Sequence, residues 1–204
     1  NPQGRWFVSW MPKLEDRNKQ ILKGNQKHPA NDHIGVGGVD SYDLDSTSDN
    51  RGSKGACHMY NKFNMAAPAN MFVAEYASRP PLARIFYEDI LMSAFFYGYP
   101  LLVENNKYGI VRYFESRGYE EYVMKRPEHL KSPNASNTKT RGIPSNSVDV
   151  IQSHAQAIEA YVEEHVGINS ETGELGKMYF QRTLEDWIGY KIDNRTKYDL
   201  TISS

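Results

Sequence analysis

Three carboxylates stand where apolar runs stop. Asp40 closes "IGVGGVD", Glu104 closes "PLLVE", and Asp199 lies between "TKY" and "LTISS". Acids this far apart in sequence repel one another if the fold brings them together, unless a cation lies between them. Their hard oxygen donors suit Mg2+ or Mn2+ better than zinc. Two such ions about 4 Å apart orient a water, make it nucleophilic and stabilise the leaving oxygen of a phosphodiester. Taken singly, each acid reads more readily as a solvated strand end. What sets the three apart is their order along the chain.

Other reactive groups have weaker claims. Asp43 and Asp45 would share one side if the first strand continued, and would then be auxiliary ligands, but "SYDLDSTSDN" favours a solvated turn. His33, His58 and His154 belong to no H-x-x-x-H, H-E-x-x-H or Cys/His cluster and read as surface or packed residues. Cys57 has no His or Asn motif beside it and reads as a small core residue. "GVGG" lacks the G-x-G-x-x-G spacing of a phosphate cradle, which leaves a strand kept slim for close packing. Asn105 and Asn106 are placed to cap the next helix and so to hold Glu104.

The elements that must position these residues can be read from periodicity. With 204 residues, 39% of them hydrophobic, the chain can bury one sizeable core, and length favours one domain or at most two. A net charge of −1 gives no strong global attraction to nucleic acid, although local basic segments can supply it. The single cysteine excludes an internal disulfide and fits a reducing compartment. No apolar run reaches the roughly 20 residues of a membrane span, and no signal pattern opens the sequence, so an unsecreted, soluble intracellular protein is expected. Asn1 at the start and "TISS" at the end suggest a domain taken from a longer polypeptide and truncated at its C-terminus.

Residues 1–31, with Arg5, Lys13, Arg17, Lys19, Lys23 and Lys27, read as a basic lead-in or linker containing a short helix. Residues 32–204 form the expected domain. "HIGVGGVD", "GACHMYNKFNM" and "NMFVAEYAS" are strand-like, and from Pro80 the period turns helical through Leu82, Ile85, Phe86, Ile90, Ala94 and Tyr97. A strand over 100–104, a helix over 107–116 and a short strand at "YEEYVMK" follow. Helices over 148–165, in "MYFQRTLEDWIGY" and from Asp199 complete the chain. The prediction is an α/β domain with a central mixed sheet of about five strands flanked by helices.

This order, with acids ending the first and fourth strands and a third in a C-terminal helix, resembles the ribonuclease-H-like nucleases. More closely, it resembles the C-terminal nuclease domain of the large terminase subunit of tailed bacteriophages. The matching residues are "GVDSYD", "LLVENN" and "TKYDLTISS", and the likeness spans roughly residues 32–204. It implies a Mg2+- or Mn2+-dependent endonuclease that cuts double-stranded concatemeric DNA with little sequence preference. Asp40 would bridge two ions, with Glu104 and Asp199 each holding one. It also implies an ATPase motor domain in the same polypeptide, portal and small terminase partners, and the cytoplasm of an infected host cell. The motor itself is not expected in this chain: there is no G-x-x-x-x-G-K-[ST] loop, and "RGSKGAC" lacks its spacing.

The sequence departs from the commonest family pattern in having Glu at the second acidic position and in carrying Asp43 and Asp45. DNA beside an acidic site needs local positive charge. Arg51 and Lys54 after the first acid, and Arg126, Lys131, Lys139 and Arg141 in a long basic loop, are the candidates. A solvated hairpin and an ordinary connection would use the same residues. Two rival readings stand beside the terminase: a junction resolvase or transposase-like enzyme of the same fold, and a non-catalytic DNA-binding or assembly module whose acids are structural.

Overall fold

Three successive β-rich segments, the second and third buried on both faces, form three strands that pair in sequence order, and a short segment ahead of them adds an edge. The computed structural model describes residues 4–43, 54–63, 68–104, 108–126, 141–143, 148–168, 172–191 and 197–204. Its elements begin with β1 (Trp6–Val8) and a hairpin of β2 (Gln20–Lys23) and β3 (Gln26–Pro29). The expected strands are β4 (Gly35–Asp40), β5 (Gly55–Asn61) and β6 (Met71–Ser78). Next come α1 (Ala83–Tyr97), β7 (Leu101–Val103) and α2 (Gly109–Ser116). Then follow α3 (Val148–His165), α4 (Gln181–Gly189) and α5 (Asp199–Ser203).

The central sheet is mixed and five-stranded, in the order β1-β6-β5-β4-β7. β7 runs parallel to β4, and the other neighbours are antiparallel. A parallel pairing needs a crossover, and α1 supplies it. The helix buries Phe86, Ile90, Leu91 and Ala94 on one face of the sheet and stops at Gly98, whose φ of 70° permits the left-handed cap. α2 joins that layer through Ile110, Val111 and Phe114. No helix among the described residues is long and apolar enough to cross a membrane.

Two segments differ from expectation. The lead-in carries a 3-10 turn at Leu14–Asp16, but Trp6–Val8 joins the sheet beside β6, where Trp6 packs edge-on against Tyr76 at 5.1 Å. "YEEYVMK" forms a 3-10 turn at Glu120–Tyr122, and the residues after it meet the sheet through a bridge at Val123, while Lys125 pairs with Arg141. The reason is spacing: Tyr119 and Tyr122, three apart, meet edge-to-face at 5.5 Å on one side of a tight turn. The Val123 bridge is nonetheless parallel to Leu101, so the chain continues the sheet beyond β7.

Candidate active site

Side chains alternate along a strand, so register determines what shares a face. Gly38, His58 and Glu75 pair across β4, β5 and β6, and the next row on that face is Asp40, Ala56 and Ala77. β7 sets Leu102 beside Gly38. Glu104 lies one residue past the last β7 pair and donates its backbone N–H to the Val39 carbonyl at 2.9 Å. The row at the sheet end is therefore Ala77, Ala56, Asp40, Glu104.

α5 lies across these rows. Leu200 packs on the two alanines, Ala56 and Ala77. Ser203, one turn on, places its Oγ 2.9 Å from His58 Nδ1. A Cβ at Gly38 would strike the Ser203 carbonyl oxygen, which explains why the strand is slim there. Asp199 opens the helix, and its carboxylate accepts the Lys54 backbone N–H at 2.9 Å. All three acids thus reach the same end of the sheet, two on adjacent parallel strands and one on the helix above β5. Among the described residues, no three His, Cys, Asp or Glu side chains gather closely enough to hold a metal ion.

Burial differs across the corner. Asp40 is buried, whereas Glu104 is half-buried and lines a cavity of about 210 Å³ roofed by Val150, Ile151 and His154 of α3. Asp199 lines a second cavity of about 280 Å³ with Lys54, Lys197, Arg182, Glu185 and Asp186. Asp186 has no counterpart in the sequence reading. It accepts the Leu200 backbone N–H at 3.1 Å, and burial pushes its carboxyl above the ordinary aspartate range against the pull of that bond. Only helical spacing in "LEDWIGY" could have placed it, and nothing there marks it as functional.

The remaining candidates divide. Asp43 is fixed by the Tyr87 hydroxyl at 2.7 Å and by the Gly109 backbone N–H at 3.3 Å, so it anchors the start of α2. Arg141 donates to Glu121 and, at 2.6 Å, to the Val123 carbonyl, which ties the end of the basic loop to the sheet flank. Arg126 is half-buried, and the Lys54 side chain lines the Asp199 cavity. Asp45, Arg51, Lys131, Lys139, Asn105 and Asn106 lie outside the described residues. Cys57 is a core residue whose thiol is pushed up by burial, His33 is exposed beside Asp32, and His154 is held 3.1 Å from the Ser204 carbonyl.

No protein-family model matches this sequence, and no curated protein sequence matches it. The chemistry of the corner has to be read from the residues: three hard carboxylate donors at one end of a sheet, with cations around one of them.

Proposed function

We propose that this chain is a metal-dependent phosphodiester hydrolase. Within that class, the best-fitting reading is the endonuclease domain of a large terminase subunit, cutting double-stranded concatemeric DNA during viral packaging. The observation that carries it is the end row of the sheet, where Asp40 and Glu104 are neighbours and α5 brings Asp199 to the same end. The ribonuclease-H-like reading draws support from the run β6-β5-β4-β7 and from the parallel bridge at Val123 beyond it.

An all-carboxylate donor set fits Mg2+ or Mn2+. Asp40, Glu104 and Asp199 would hold the ions, which when bound supply Lewis acidity and a nucleophile at neutral pH. Lys54, Lys197 and Arg182, which share a cavity with Asp199, offset the repulsion between the acids and a phosphate backbone. Double-stranded DNA, a motor domain of the same polypeptide, and portal and small terminase proteins are the proposed partners, in the cytoplasm of the host cell.

The decisive experiment is Asp40→Asn. Mn2+-dependent plasmid cleavage is expected to fall more than about 100-fold, beyond the usual cost of losing an outer partner of a metal ligand, while the melting temperature holds. Full residual cleavage would overturn the assignment. A second reading, a non-catalytic assembly module, has one observation in its favour: the Asp199 carboxylate is already bonded to the Lys54 backbone. On that reading, millimolar Mn2+ neither raises the melting temperature nor supports cleavage.

A further inference from the structure

Four polar side chains with almost no exposure meet between the sheet and the last two helices: Glu75 and His58 at 1%, Thr183 at 0% and Ser203 at 1%. They form a chain across four elements, β6, β5, α4 and α5. The Thr183 hydroxyl donates to Glu75 Oε2 at 2.7 Å, and Thr183 Oγ1 lies 2.7 Å from His58 Nε2. His58 Nδ1 is 2.9 Å from Ser203 Oγ. A hydroxyl has one proton to give. Thr183 gives its proton to Glu75 and must therefore accept one from His58 Nε2. That assigns the ring its Nε2–H form, and the Ser203 hydroxyl, which also reaches the Leu200 carbonyl at 3.2 Å, has its one proton shared between that carbonyl and His58 Nδ1.

The arrangement has the outline of an activated serine, but its chemistry is wrong for one. Ser203 is almost without exposure, although it and His58 lie along the cavity of about 270 Å³ beneath α3, and burial pushes the imidazole down to about 3, far from the range of a useful general base. Groups like these are costly to bury unless every partner is present. The structural return lies in α5. Its five residues are too few to be helical alone. What holds it is the buried chain, the Asp186 carboxylate on the Leu200 N–H, the Trp187 Nε1 bond to Ser204 Oγ at 3.1 Å, and the close approach at Gly38.

We infer that Glu75, Thr183, His58 and Ser203 are positioning residues for Asp199: through α4 they seat α5 on the sheet and so set where the third acid stands relative to Asp40 and Glu104. The catalytic consequence rests on the nuclease reading above; the seating does not.

The test is hydrogen–deuterium exchange of the full chain, metal-free, in the variants Thr183→Val, Ser203→Ala and Thr183→Ser. In the first two, amides of residues 200–204 are expected to exchange about tenfold faster, as loss of one buried hydrogen bond implies for local opening. Amides of β5 and β6 should keep wild-type rates, and Thr183→Ser should restore protection. Mn2+-dependent cleavage should fall and recover in step. Unchanged exchange at 200–204, or equal acceleration throughout the sheet, overturns the inference. Should Thr183→Val fail to fold, Ser203→Ala decides alone, because it removes a single oxygen. If the wild type neither cleaves DNA nor binds Mn2+, the nuclease reading falls and the exchange result still decides the seating.

Discussion

The two faces of the sheet are built from different materials. Under α1 and α2 lies a continuous apolar cluster in which Phe86, Ile90, Met59, Leu101 and Phe114 are fully buried. Under α3, α4 and α5 the sheet presents Gly38, two alanines, His58 and Glu75 beside Tyr60, Phe72 and Leu102, and α3 buries only Val150. Cavities of about 270 and 210 Å³ remain beneath α3. One face gains its stability from area removed from water. The other combines buried directional bonds with an aromatic contact of Phe72, Tyr161 and Trp187 and leaves cavities, so the two should respond differently to substitution.

The largest contrast is expected from truncation. Phe86→Ala, on the α1 face, should cost about 3–5 kcal/mol in urea unfolding, whereas Ile158→Ala, half-buried on α3, should cost about 1 kcal/mol or less. Equal costs would erase the distinction. Gly38→Ala comes next. The new methyl meets the Ser203 carbonyl, so a penalty of about 1–3 kcal/mol is expected, with displacement of α5 and, on the nuclease reading, loss of cleavage. A variant as stable and as active as wild type would show that α5 does not rest on β4 as described.

Acid sensitivity also sharpens the comparison, because it belongs to one face. Burial lowers the pKa of both His58 and His154. Below the unfolded value of about 6.5 the unfolded chain binds more protons, so stability is intact above that pH and is lost as pH falls. The slope is up to about 1.4 kcal/mol per pH unit for each ring. Glu75 and Asp186 are raised by burial and act in the opposite sense, adding stability as pH falls through their folded values. They should flatten the loss at the acid end. A urea midpoint that stays constant from about pH 7 to about pH 5 would contradict this assignment.

What could be read from the sequence follows the same division. Strands β4 to β7 announce themselves as apolar or β-rich runs between breakers and helix α1 through its helical period, and Asp40 and Glu104 are visible because an acid ending an apolar run breaks a pattern. Three-residue β1 has no room for a period, and its strand identity comes from pairing with β6 and from Trp6 on Tyr76. The buried chain is harder still. His58 and Ser203 are 145 residues apart, Glu75 and Thr183 are 108 apart, and each is an ordinary residue in its own neighbourhood. The local clue is Glu75 itself, an acid in the middle of "MFVAEYAS", where a buried charge demands a partner. That Asp186 and Asp199 share a cavity depends on how α4 and α5 meet, which no window of sequence contains.

The bond between Lys54 and Asp199 also has a meaning in time. Its partners are separated by 145 residues, so a nascent chain that has completed β7 holds two of the acids and lacks the third. At about 5–20 residues per second, the interval before residue 199 is made is roughly 5–20 s. Throughout that interval the sheet can form while the corner stays open. On the nuclease reading, translation itself delays the cutting activity until the supporting framework has been made.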